Sequence, residues 1–127
     1  MEFTLQVSIP ASAEAIYQAW LTSEGHTAMT GGEATASDVP NQVFTAWDTY
    51  ITGRNLILEP NRRIVQSWRT TQFADHEPDS QIEILLAEAG GKTELTLIHT
   101  QVPEDGEHYI QGWKDHYFEP MKAYFGR

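Results

Sequence analysis

Side chains that titrate, attack or coordinate are sparse in this chain. It has five histidines and no cysteine in 127 residues. Disulfides, thiolate metal sites and a cysteine nucleophile are therefore excluded. No HxxxH, HExxH or His-Asp spacing suggests a metal cage. His99 shares a strand face with Leu95 and Leu97 and is expected to point inward. A buried imidazole must be hydrogen-bonded. It then serves either as a satisfied core histidine or as a polar anchor in a pocket. His108 and His116, two turns apart on a helical segment, are expected to face solvent, and His26 and His76 carry no signal. Neither Asp48 nor Glu33 has a second carboxylate demonstrably near, so paired acid–base catalysis has no basis. Thr30-Gly31-Gly32 is too short for a phosphate loop and lacks the following Lys-Ser/Thr. There is no Gly-x-Ser-x-Gly elbow. The chain is expected to have no catalytic set, no metal and no cofactor.

Rings are abundant instead: four Trp, five Tyr and five Phe. Trp20 and Trp113 fit helix faces turned toward a sheet, Trp68 fits a strand face shared with Ile64, and Trp47 precedes a turn at Asp48. Core packing accounts for each of them. A pocket lined by aromatics is the alternative, and the two overlap. Tyr50, Tyr117 and Tyr124 offer hydroxyl handles inside such a pocket.

These side chains must be held by a few elements. Ile110, Trp113, Tyr117, Met121 and Tyr124 recur at steps of three and four, with Phe118 and Phe125 flanking them. That spacing predicts one long C-terminal helix of about 30 Å. Within it, Gly112 is expected where the helix approaches a strand or ligand closely, because glycine costs about 1 kcal/mol relative to alanine. Pro120 has no N–H for His116 and is expected to kink the helix just before it. Residues 3–9 alternate as a first strand, stopped by Pro10. Ser12 caps a short helix with Ala15, Ile16, Ala19 and Trp20 on its apolar side, and Thr22-Ser23-Glu24 starts a second. Strands are expected over residues 33–37 (an edge), 43–47, 49–59 (bulged at Gly53), 63–70, 81–88 and 93–100, the last two joined by Ala89-Gly90-Gly91-Lys92. Consecutive strands with short turns imply an antiparallel sheet, and helices on one of its faces make an α+β two-layer fold.

Length indicates one domain over residues 1–127. A formal net charge of -10 speaks against nucleic acid and anionic membrane surfaces as partners. No charged-then-apolar leader opens the chain and no run nears the ~18 apolar residues of a membrane span. A cytoplasmic location is the expectation.

The segments Trp20-Leu21, Thr30-Gly31-Gly32-Glu33-Ala34, residues 47–53 (Trp-Asp-Thr-Tyr-Ile-Thr-Gly), Leu58-Glu59-Pro60, residues 64–69 (Ile-Val-Gln-Ser-Trp-Arg), residues 95–99 (Leu-Thr-Leu-Ile-His) and Gly112-Trp113 stand in register along nearly the whole chain. Together they resemble the bacterial single-domain relatives of the activator of the heat-shock protein 90 ATPase, and specifically its C-terminal-domain family, within the START-like helix-grip superfamily. The resemblance implies a curved antiparallel sheet of about six to seven strands gripping a long C-terminal helix, two short helices after the first strand, and a hydrophobic cavity between sheet and helix. It also implies a link to chaperones and the stress response. The eukaryotic co-chaperone carries an additional N-terminal domain outside this resemblance. Because the fold hosts many activities, it does not by itself define one.

Three functions follow. The first is a non-enzymatic protein holding a small hydrophobic or aromatic ligand, with Trp20, Trp47, Tyr50, Trp68, His99, Trp113, Tyr117 and Met121 as cavity candidates. The second is a chaperone-linked protein–protein module whose acidic surface meets a basic face. The third is an acid–base enzyme acting on a polyketide-like or aromatic substrate through His99 or a tyrosine.

Overall fold

A computed structural model describes all 127 residues. Alternation sets the sheet. β1 (Phe3–Ile9) buries every second residue to some degree and leaves Thr4, Gln6 and Ser8 exposed. β5 (Ser80–Ala89) and β6 (Lys92–Thr100) do the same with Ile82, Ile84, Leu86 and Leu95, Leu97, His99. Between them, Gly90 and Gly91 both take positive φ (63° and 81°). That pair of conformations is what a two-residue turn joining right-twisted strands requires. β2 (Val43–Ala46), β3 (Ile51–Glu59) and β4 (Arg63–Thr70) complete an all-antiparallel six-stranded sheet in the order β1-β6-β5-β4-β3-β2.

The two short helices follow β1 as predicted. In α1 (Ala13–Trp20) the Ser12 hydroxyl accepts from Ala15 N at 3.0 Å, and Glu88 Oε1 of β5 accepts from Ala13 N at 2.8 Å, tying the helix to the sheet. In α2 (Ser23–Thr30) the Thr22 hydroxyl accepts from Gly25 N at 3.1 Å, and Gly31 (φ 87°) ends the helix. The C-terminal rod runs unbroken over residues 108–125: α3 (His108–Trp113), a π-helical turn (Lys114–Phe118) and α4 (Glu119–Phe125). Sheet and helices close over a 25-residue core that is rich in rings.

Four local expectations are corrected. Residues 33–37 form no edge strand, only a single bridge between Thr35 and Thr45. Side chains of α2 take the backbone groups a neighbouring strand would have used: Thr27 bonds Ala34, and Ser23 bonds Ala36, each through both N–H and C=O. The β3 irregularity lies between Asn55 and Ile57, not at Gly53. Gly53 is there for space, since a Cβ would stand 1.9 Å from Ser67 O and 2.5 Å from the Phe44 ring. Tyr109 is buried where Ile110 was expected. The cause is the π turn. Tyr109, Trp113, Tyr117 and Met121 are spaced strictly by four, so on a 3.6-residue helix they would drift around the rod by about 40° per step. The wider turn absorbs that drift, and it leaves Tyr117 and Phe118 both buried. Where a kink was expected just before Pro120, the backbone takes a π turn, closed by Glu119 N–H to Lys114 O.

Candidate ligand-binding cleft

Three tryptophans and two histidines knit the rod to the body. Trp20 and Trp113 stack at 6.4 Å and 18°, Trp113 continues onto Trp68 at 5.5 Å, and Tyr117 sits between Trp20 and Trp113. Such pairs contribute about 0.5–1.5 kcal/mol each beyond burial. The polar atoms inside this stack have unambiguous proton positions. Trp113 Nε1 can only donate, so His99 Nδ1 accepts (3.1 Å). His99 Nε2–H then donates to Ser80 Oγ at 2.9 Å, and Ser80 donates to Trp68 O at 2.7 Å. On the other side His26 Nδ1–H donates to Trp20 O (2.9 Å), so its Nε2 accepts from Tyr117 OH at 2.8 Å. Both imidazoles are neutral. Burial pushes His99 down to about 3 and His26 down to about 4, and it raises the Tyr117 hydroxyl above its ordinary range.

Beside this stack the sheet and rod part to leave a cleft of about 540 Å³. Strands and their turn contribute Trp47, Tyr50, Ile51 and Trp68. The rod contributes residues 108, 109, 111–113 and 115–117, among them Tyr109, Trp113 and Tyr117. No lysine or arginine lines it, and its one carboxylate, Asp115, accepts from Gln111 Nε2 at 2.9 Å. At the rim Tyr50 OH and His108 Nε2 converge on Gln72 Oε1. Deeper in, Tyr109 OH is bonded to Thr70, and burial raises it to about 12.

Trp47 is held in an unusual way. Trp47, Asp48 and Thr49 all have positive φ (51°, 57° and 71°). Each such residue costs roughly 1–2 kcal/mol, and a β-branched one is a genuine outlier. The turn is fastened by Asp48 N to Glu33 O and Tyr50 N to Trp47 O, both 3.0 Å. It explains why β2 stops at Ala46 and β3 starts at Ile51, inside the expected strand ends. The indole lies against Gly32, where a Cβ would be 2.4 Å from the ring, and meets the His116 ring edge-on at 5.3 Å. Its Nε1 is buried without a hydrogen-bond partner. An orphan of this kind costs about 1–3 kcal/mol.

Of the residues singled out from sequence, Trp47, Tyr50, Trp68, Trp113 and Tyr117 meet at the cleft. Trp20, His99 and Met121 are 2%, 0% and 0% exposed and stand behind its wall. His99 is off the surface because Phe3, Trp68 and Trp113 enclose its ring. His108 and His116 are exposed as anticipated, yet they also line the cleft. Gly112 does not approach a strand closely: no protein atom stands within 4 Å of where its Cβ would be, and it borders open cleft. His26 and Tyr109 were missed. His26 gave no local signal because its importance comes from α2 lying beside the rod, and Tyr109 was hidden by the π turn.

An antiparallel sheet closed on a long C-terminal helix, with a cleft between them, defines a helix-grip protein of the START-like kind. The family model described as "Activator of Hsp90 ATPase homolog 1-like protein" matches residues 10–126, and the chain belongs to that family. The human "Activator of 90 kDa heat shock protein ATPase homolog 1" is 29% identical over 126 residues, covering 98% of this chain and 37% of that protein. The chain thus spans well under half the length of this curated relative. Among solved structures, an HSP90 activator from Plasmodium falciparum superposes with a TM-score of 0.88 at 18% identity, over 99% of this chain and 96% of the other. The Aha1 dimer from Colwellia psychrerythraea gives 0.81 at 17% identity, over 98% and 96%. No helix is long and apolar enough to cross a membrane.

Proposed function

We propose that this chain is a non-enzymatic binding protein that holds a small hydrophobic or aromatic ligand between β3–β4 and the first half of the C-terminal rod. The observation that carries the reading is the ring-walled cleft of about 540 Å³, within the usual size of small-molecule sites. Trp47, Tyr50, Trp68, Trp113 and Tyr117 are the proposed contacts, and Trp20, His99 and Met121 support them from behind. The acid–base alternative has the least support, because both ring nitrogens of His99 are engaged and its side chain does not line the cleft. Titration with uncharged polycyclic aromatics, followed by tryptophan fluorescence, is expected to give saturable quenching. Gly112→Leu, which projects a side chain into the opening, is expected to weaken that binding at least tenfold. Quenching that stays linear in ligand for every probe would remove the proposal.

Family membership favours a second reading, a chaperone-linked module in the cytoplasm. Its physical route is an acidic surface, formal net charge -10, meeting a basic chaperone face. Calorimetry with the host's own 90 kDa heat-shock protein is expected to give a binding isotherm that weakens with salt. Absence of heat at micromolar concentrations ends this reading and leaves the first untouched.

A further inference from the structure

The polar atoms of the rings around the cleft are mostly engaged. Tyr109 OH is bonded to Thr70, Tyr117 OH to His26, Tyr50 OH to Gln72 and Trp113 Nε1 to His99. Trp47 is different. Its indole N–H is the one buried side-chain polar atom in the protein without a hydrogen-bond partner. The same residue opens the run of three positive-φ residues that β2 and β3 hold in place. Unpaired donors and strained backbone persist where a surrounding structure over-determines them, and they gather at ligand sites.

We propose that the cleft selects a flat, uncharged aromatic molecule bearing a hydrogen-bond acceptor, and that the Trp47 indole N–H is the donor that reads it. The inference rests on the ligand-binding reading above and adds the ligand's chemistry. Flatness follows from walls made of rings, Trp47 and Trp68 from the sheet side and Tyr109 and Trp113 from the rod, which favour stacking over branched aliphatic contact. An anion finds no lysine or arginine there, on a chain of formal net charge -10. A cation finds one carboxylate, Asp115, already engaged with Gln111. An acceptor is required because an indole N–H donates only. For this buried N–H to meet that acceptor, the indole must turn in its seat against Gly32 when the occupant binds.

Fluorene and fluorenone are a matched pair for the test, alike in outline and differing in one carbonyl. The wild-type protein is expected to bind fluorenone about threefold to tenfold more tightly than fluorene. In Trp47→Phe, which keeps a ring against Gly32, the ratio is expected to fall to about one. In ¹⁵N-labelled wild-type protein, the Trp47 indole proton is expected to shift downfield with fluorenone relative to the position that the ring current of bound fluorene gives it. This second measurement decides the matter even if the variant does not fold. Equal affinities in the wild type, a preference that survives Trp47→Phe, or an indole resonance at the same position with both ligands overturns the role of Trp47 while the cleft remains a binding site. Tighter binding of fluorene carboxylate or aminomethylfluorene overturns the uncharged class. Failure of all four probes to bind takes the ligand-binding reading down with it.

Discussion

His99 and His26 each occupy the middle of a relay in which every proton has one place to be. An indole or phenol donates into the ring, and the ring donates onward to a hydroxyl or carbonyl oxygen. A second proton on either imidazole would turn its acceptor nitrogen into a donor facing a donor. Burial, which penalises the charged ring, keeps the folded imidazoles from protonating until about pH 3 and about pH 4, against an ordinary value of 6.5. The unfolded chain accepts both protons as pH drops below that ordinary value. It binds more protons than the fold does in that window, so stability is fully present above about pH 6.5 and declines as pH falls toward 4. At pH 5 each histidine is expected to remove about 2 kcal/mol. Denaturant unfolding at pH 7 and pH 5 checks this, and equal stabilities would contradict it. His26→Gln keeps one donor and one acceptor in place and is expected to halve the loss. The sequence marked His99 as an inward, bonded imidazole because its neighbours Leu95 and Leu97 set the strand's inner face. It said nothing of His26, whose partner Tyr117 lies 91 residues away in the chain. A donor–acceptor pair across that separation leaves no local pattern.

The C-terminal rod shows what periodicity reveals and what it hides. Its existence and its apolar stripe were legible, because steps of three and four mark a helical face. Its register was not. Strict steps of four, from Tyr109 to Met121, suit a π turn as well as an α-helix, and only packing against the sheet selects between them. Gly112 tests the corrected reading. With nothing within 4 Å of its absent Cβ, Gly112→Ala is expected to stabilise the protein by about 0.5–1 kcal/mol. A close approach to a strand, one of the two expectations for this glycine, would make the same change destabilising. Thermal unfolding of that one variant distinguishes them by sign. The sheet was more readable than the cleft it borders. Alternation and turn glycines mark β1, β5 and β6 directly, whereas the Trp47 turn breaks propensity rules over three consecutive residues, and a rule-based reading extends both flanking strands into it.

At the scale of the whole molecule, 18 acidic residues face 8 basic ones. Several of the basic groups are paired on the surface, Arg62 and Arg63 with Glu59 and Arg69 with Asp79, and exposed pairs contribute little. Repulsion among the remaining carboxylates outweighs them. The melting temperature is expected to rise as salt goes from about 10 mM to about 150 mM, over which the screening length shrinks severalfold. A fall would mean that the ion pairs dominate. The interior responds differently, since sheet and rod are joined by neutral relays and stacked rings. The near-parallel Trp20–Trp113 pair and its extension onto Trp68 carry an optical consequence. Indole transition dipoles this close are expected to couple into delocalised excited states, and the far-ultraviolet circular dichroism is then expected to carry an exciton couplet on top of the amide bands. Helix content taken from the raw spectrum will be in error by that couplet, and the couplet's disappearance on heating will report the moment the rod leaves the sheet.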